Sequence, residues 1–118
     1  MLRKPVRTAD TPLVRAINEI GDGWMLLIVW TAGQQVRRFD EFQRELGVAR
    51  NILAERLRRL VDSGLMEKTP INEGARRMEY RLTEKGAALN GALEALNAWG
   101  ASWTRPASPS QTSVSAAE

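Results

Sequence analysis

Residues 50–64, RNILAERLRRLVDSG, constrain the fold more than any other part of the chain. At about 100° per residue, Leu53, Leu57, Leu60 and Val61 fall in one apolar sector of a helix. Opposite them lie Asn51, Glu55, Arg58, Arg59 and Asp62, with Ala54 at the margin. Gly64 supplies the left-handed residue on which such a helix ends, so the stop falls at Ser63-Gly64. The start is less sharply marked. Ala49 has no side-chain acceptor, which costs about 1 kcal/mol relative to Ser or Asp at a cap, so the start falls there or a residue or two later.

The flanks decide what this helix belongs to. After it, LMEKTPI (65–71) and RMEYRLT (77–83) read as two strands around NEGAR, a turn-forming link with Gly74. Before it, Asp40 and Gln43 make a capping box for a short helix over 40–46, with Phe39 placed to pack back on it. Gly47-Val48 is the tight turn between the two helices, and residues 36–38 read as a short strand. Further upstream, Thr11 and Pro12 start a helix with Leu13, Ile17 and Ile20 on one face, and Gly21 ends it. WMLLIVW at 24–30 is apolar all round, compatible with a buried strand or a helix; its length and flanks favour a central helix over about 23–32. Thr83 caps a long helix to about 103, along which Leu89, Leu93, Leu96, Trp99 and Trp103 recur at helical spacing.

The fold expected is mainly α with a small β-hairpin. Two helices joined by a Gly-containing turn and followed by a hairpin form a winged helix-turn-helix, whose second helix enters the major groove while the hairpin tip lies along the backbone. The domain expected is 11–104, between a flexible arm at 1–10 and a disordered Ser/Ala/Pro-rich tail at 105–118.

Composition removes other functions. The 118 residues contain no Cys and no His, which deletes disulfides, thiol chemistry, the usual general base and the commonest metal ligand. With no phosphate-binding Gly loop either, neither an enzyme nor a metal or cofactor site is expected. Net charge is only +3, so the placement of the 17 basic residues matters more than their excess. No apolar run reaches the roughly 20 residues of a membrane span, and no apolar segment follows the basic MLRKPVR. A cytoplasmic protein without a membrane partner is the expectation.

The chain also resembles the HxlR family of bacterial winged-helix transcription regulators. The stretches that carry the resemblance are PLVRAINEIGDGWMLLIVW, RRFDEFQREL, LAERLRRLVDSGLMEK, RRMEYRLTEKGAAL and LNAWG, from about Thr11 to Trp103. It implies a homodimer built by the first and last helices, bound to operator DNA as a repressor or activator, with repression expected. Two positions depart from the family pattern. Thr11 stands where relatives often carry a Cys, so thiol-based sensing is not expected; Ala49 stands where many carry Ser.

Within that mode, Asn51, Ala54, Glu55 and Arg58 are the candidates to reach base edges: Asn suits adenine, Arg guanine, Glu the cytosine amino group, and Ala a thymine methyl. Arg50 suits phosphate or base. Arg76 and Arg77 at the wing tip suit phosphate or the minor groove, and Arg37 and Arg38 suit phosphates, one of them with a structural ion pair as its alternative. Arg56 borders the apolar sector and reads as structural, with DNA contact as the other option. Leu13, Ile17, Leu89, Leu93, Leu96, Trp99 and Trp103 are the dimer candidates, set against packing within one chain. Trp99 and Trp103 are also candidates for a flat aromatic effector, whereas Trp24 and Trp30 read as core. The competing function is a winged-helix protein interaction module that does not bind DNA.

Overall fold

The computed structural model describes residues 10–107; the expected arm, save Asp10, and the tail beyond residue 107 lie outside the described residues. Six helices and one hairpin follow in order: α1 (Pro12–Ile20), α2 (Gly23–Gly33), α3 (Phe39–Leu46), α4 (Arg50–Asp62), β1 (Met66–Pro70), β2 (Met78–Leu82), α5 (Glu84–Ala87) and α6 (Asn90–Trp103).

The caps at the start of the chain follow the sequence. Thr11 Oγ1 accepts from the Val14 N–H at 3.2 Å, Pro12 fills the first helical position, and Gly21 closes α1 with φ +87°. The apolar run is helical, as preferred. Asp22 Oδ1 accepts from the Met25 N–H at 3.1 Å, and α2 then buries Met25, Ile28, Val29, Thr31 and Ala32. It is the central helix, with α3, α4 and the hairpin packed around it. Phe42, Ile28, Leu53, Leu57, Leu60 and Met66 are its best-covered neighbours and members. Each such side chain contributes about 1.5–3 kcal/mol by leaving water, which is why the leucine sector of α4 faces inward.

Three local expectations fail, each for a visible reason. Residues 36–38 do not form a strand. The Tyr80 N–H donates to the Arg37 carbonyl at 2.7 Å, but the Arg37 and Arg38 amides both donate to Glu41 Oε1, at 3.2 and 3.0 Å. Amides committed to a helix cap cannot join a ladder. The same bonds correct the α3 start: Glu41, not the Asp40–Gln43 pair, supplies the cap, and Phe39 is the first helical residue rather than the one before the cap. Two depressing contacts, the Arg38 and then the Arg37 amide, hold the Glu41 carboxyl below its ordinary value.

The third correction concerns the C-terminal helix. It is not continuous from Thr83, because the chain tightens at Ala88-Leu89, where the Leu89 N–H bonds the Gly86 carbonyl at 3.1 Å. Gly86 explains the docking of this short turn. A Cβ there would lie 2.0 Å from the Leu65 carbonyl oxygen, so only glycine lets α5 rest on the base of the hairpin. Thr83 caps α5 through Oγ1 and the Gly86 N–H at 3.1 Å, and its own N–H bonds the Leu65 carbonyl at 3.1 Å.

The end of α4 is a Schellman motif. The Leu65 N–H bonds the Leu60 carbonyl at 2.9 Å, the Gly64 N–H bonds Val61 at 3.0 Å, and Gly64 takes φ +80°. This turn feeds β1 into an antiparallel pair with β2, from Met66 opposite Leu82 to Pro70 opposite Met78.

Candidate nucleic-acid interface

Gly47, at φ +64°, and buried Val48 turn the chain from α3 into α4. α4 starts at Arg50, with Ala49 in extended backbone before it and no side-chain cap. That settles which residues occupy the first turn. Asn51, Ala54, Arg58 and Asp62 are exposed along one line of the helix, with Glu55 and Arg59 partly covered. The exposed line is the surface a major groove would meet.

The side chains on that line are already paired with one another. Arg58 Nη1 lies 2.8 Å from Asp62 Oδ2, and its Nη2 lies 3.5 Å from Glu55 Oε2. Glu55 also takes Arg56 Nη1 at 2.7 Å on Oε1 and approaches Arg59 Nε at 3.9 Å. A carboxylate shared by three arginines suits holding them better than reading a cytosine. Exposed pairs of this kind are worth about 0–1 kcal/mol, so Arg58 gives up Asp62 at little cost when a better acceptor arrives.

Arg50 does not project freely. Its guanidinium sits 4.8 Å from the centroid of the Phe39 ring, with Nη1 3.5 Å from Gln43 Oε1 and 3.9 Å from Asp40 Oδ1. Gln43, Asp40 and Phe39 thus hold it against α3, an engagement that Ala49 and the sequence around it did not signal. Asn51 and Ala54 carry no such tether.

The remaining basic candidates separate by environment. Arg37 donates to Gln35 Oε1 at 2.6 Å and turns into a hollow shared with Glu67 and Arg81, so it faces the hairpin. Arg38 is exposed and has no ion pair among the described residues. Arg76 and Arg77 are exposed at the wing turn, which closes with the Ile71 N–H on the Arg77 carbonyl at 3.0 Å and with Gly74 at φ +77°. Lys68, exposed on β1, lies 5.7 Å from the ring of Tyr80 directly opposite; it is a basic wing residue that the strand pattern alone did not single out.

Arg56 is structural. Its Nη2 and Nε lie 2.6 and 2.8 Å from Asp22 Oδ2, and the two side chains are 8% and 3% exposed. Burial pushes the Asp22 carboxyl up. The hydrogen bonds from Arg56 and the Met25 amide, with the charges of Arg56 and Arg59, outweigh it and hold the group below its ordinary value. The Asp22 bond in turn raises Arg56. Asp22 is the residue sequence reasoning missed; its signal was a lone acid between two glycines beside an all-apolar run.

The terminal helices α1 and α6 carry exposed apolar residues. No residue of α1 is buried, and Leu13, Leu96, Trp99 and Trp103 are 69%, 55%, 61% and 75% exposed. Ile17 is half-buried. Leu89 and Leu93 differ: Leu93 is buried in the chain's own core, and Leu89 is partly buried against it. Between α2 and α6 runs a groove of about 730 Å³, lined by Leu26, Leu27, Trp30, Leu93, Leu96 and Asn97 among others. Neither Trp99 nor Trp103 is among the residues that line it. Trp30, read from the sequence as core, does pack against the core and also lines the groove.

This assembly of a two-helix turn, an exposed second helix and a hairpin beside it defines a winged helix-turn-helix protein. The HxlR-like helix-turn-helix family matches residues 19–108, and the chain belongs to that family. An uncharacterized HTH-type transcriptional regulator of Mycobacterium tuberculosis strain H37Rv is 43% identical over 96 residues, covering 80% of this chain and 61% of its own. This chain therefore spans about three fifths of the length of that relative. The crystal structure of PA1607, described as a candidate transcription factor, superposes with a TM-score of 0.77 at 46% identity, covering 85% of this chain and 70% of that one. The redox regulator HypR in its reduced form gives a TM-score of 0.71 at 26% identity, covering 78% and 92%. Among the described residues no helix is long and apolar enough to cross a membrane.

Proposed function

We propose that this chain is a dimeric, sequence-specific DNA-binding transcription regulator that represses by occupying its operator. The observation that carries the reading is the exposed line Asn51–Ala54–Arg58 on α4, beside a wing whose Arg76 and Arg77 are unpaired among the described residues. Asn51, Ala54 and Arg58 read bases; Arg38, Arg76, Arg77 and Lys68 hold phosphates, which fix register without carrying sequence. Arg50 and Glu55 act next to the groove rather than in it, given the partners that hold them.

Self-association is supported by the exposed Leu13, Leu96, Trp99 and Trp103 and the half-buried Ile17. Charged residues are sparse on α6, and large exposed apolar patches mark interaction sites. A two-fold dimer sets two α4 helices at successive major grooves, about 34 Å apart. The domain doing this is 11–104. The groove beside Trp30 is the place assigned to a small aromatic effector, because its volume falls within the about 300–1,000 Å³ of small-molecule sites. With no cysteine among the 118 residues, the response is assigned to this groove rather than to a thiol.

The test is duplex binding followed by fluorescence anisotropy at rising salt. Affinity should fall log-linearly, by a slope of about 0.9 for each phosphate neutralised. Absent or salt-insensitive binding would favour a protein interaction module instead. Ligand titration against tryptophan emission tests the groove: Trp30→Phe should abolish the response to an aromatic effector, while Trp103→Phe should leave it.

A further inference from the structure

Among the described residues, α4 has one buried directional contact from outside its own helix, the Arg56–Asp22 pair; the ties of Arg50 to Gln43 and Asp40 are exposed. The buried leucine stripe of Leu53, Leu57 and Leu60 turns that sector inward but, being non-directional, does not by itself fix the roll about the helix axis to within a few degrees. The Arg56–Asp22 bond does, since charge-assisted hydrogen bonds hold distance and angle together. Asp22 divides its carboxylate: Oδ1 caps α2 through the Met25 N–H at 3.1 Å, and Oδ2 takes Arg56 at 2.6 and 2.8 Å. From Arg56 the chain of contacts continues to Glu55 at 2.7 Å, and from Glu55 to Arg58 at 3.5 Å and Arg59 at 3.9 Å.

We propose that Asp22 is a positioning residue for sequence readout: its ion pair with Arg56 fixes the roll of α4 and, through Glu55, the placement of Arg58. The inference rests on the reading of α4 as the base-contacting helix. Its leverage is geometric. A roll of about 20° moves a side-chain tip roughly 9 Å from the helix axis by about 3 Å, the length of a hydrogen bond. Base contacts do not survive that displacement. Phosphate contacts from Arg76, Arg77 and Lys68 on the wing do, because they hang on the hairpin instead. When Asp22 loses its charge, Arg56 retains only Glu55, draws that carboxylate toward itself, and leaves Arg58 to Asp62. Specificity is then lost before affinity.

Asp22→Asn is the informative variant, since Asn caps a helix about as well as Asp and keeps its shape. The probes are a duplex enriched from a random pool by the wild-type protein and a scrambled duplex of equal length. The variant should lower the ratio of the two affinities by at least about tenfold, while its scrambled-duplex affinity and salt slope stay within about twofold of wild type. Ile28→Val, a core change remote from the charges, serves as the stability control and should keep the full ratio. An unchanged ratio in Asp22→Asn would overturn the proposal, and so would an equal loss on both duplexes, which is the mark of plain destabilisation. If the wild type itself enriches no duplex, the reading of α4 falls and the proposal falls with it; if the wild type discriminates and the variant does too, only the proposal falls.

Discussion

The surface of α4 and the surface made by α1 and α6 lie on one small domain and manage exposure in opposite ways. On α4 every long charged side chain but Arg50 has a partner on the same helix or beneath it: Arg58 with Asp62, Glu55 with three arginines, Arg56 with Asp22. On α1 and α6 the large exposed apolar groups are Leu13, Leu96, Trp99 and Trp103, which stay more than half exposed among the described residues. A self-paired charged face is stable in water and exchanges its partners cheaply. An apolar face gains only by being covered. The first property suits a polyanion that comes and goes, the second a subunit that stays.

That contrast can be broken in graded steps. The largest effect belongs beneath the charged face. Arg56→Ala leaves the Asp22 carboxylate buried without its cation and should cost about 3–5 kcal/mol of stability, read from urea denaturation midpoints. Next is the apolar face: Trp103→Ala should weaken the dimer by about 2 kcal/mol or more in sedimentation equilibrium, with the monomer still folded. Arg58→Ala should barely touch stability, about 0.3–0.5 kcal/mol for an exposed helix pair. It should nonetheless cost about 1–3 kcal/mol in operator binding and relax one base position. Arg77→Ala, by contrast, should weaken all duplexes alike and lower the salt slope. Ala49→Ser places an acceptor on a cap residue already in extended backbone, and should add about 1 kcal/mol.

The smallest effect is acid sensitivity. Asp22 titrates below its ordinary 3.8, so the folded protein holds fewer protons there than the unfolded chain. Its stabilisation is complete above that value and is lost as pH falls through the depressed one. The groups facing it are Arg56 and Arg59 from α4 and the Met25 amide from α2, all of which favour the charged form. Denaturation midpoints measured from about pH 7 down to about pH 3 should therefore fall less steeply in Asp22→Asn than in wild type.

Much of this was legible in the residues. The leucine period of α4, the Gly64 stop and the alternation of the hairpin come from local pattern, and they gave the fold and the exposed line of α4. So did the structural reading of Arg56, which borders the apolar sector. The misreadings turn on which partner a group takes, near in sequence for Glu41 and farther away for the others. Glu41 took amides that a strand at 36–38 would need, Gly86 docked on Leu65 and broke the last helix, and Arg50 folded onto Phe39. Likewise Leu93, expected at a subunit interface, is buried in the core beside a groove that it lines with Trp30, because whether an apolar residue lines core, groove or interface depends on what packs over it. No periodicity encodes that.

The most direct test of the account is selection of duplexes from a random pool by the wild-type protein, followed by sequencing. The account predicts an enriched inverted repeat with half-sites about one helical turn apart, whose preference at one position per half-site disappears in Arg58→Ala. A pool that stays random after repeated rounds would contradict it.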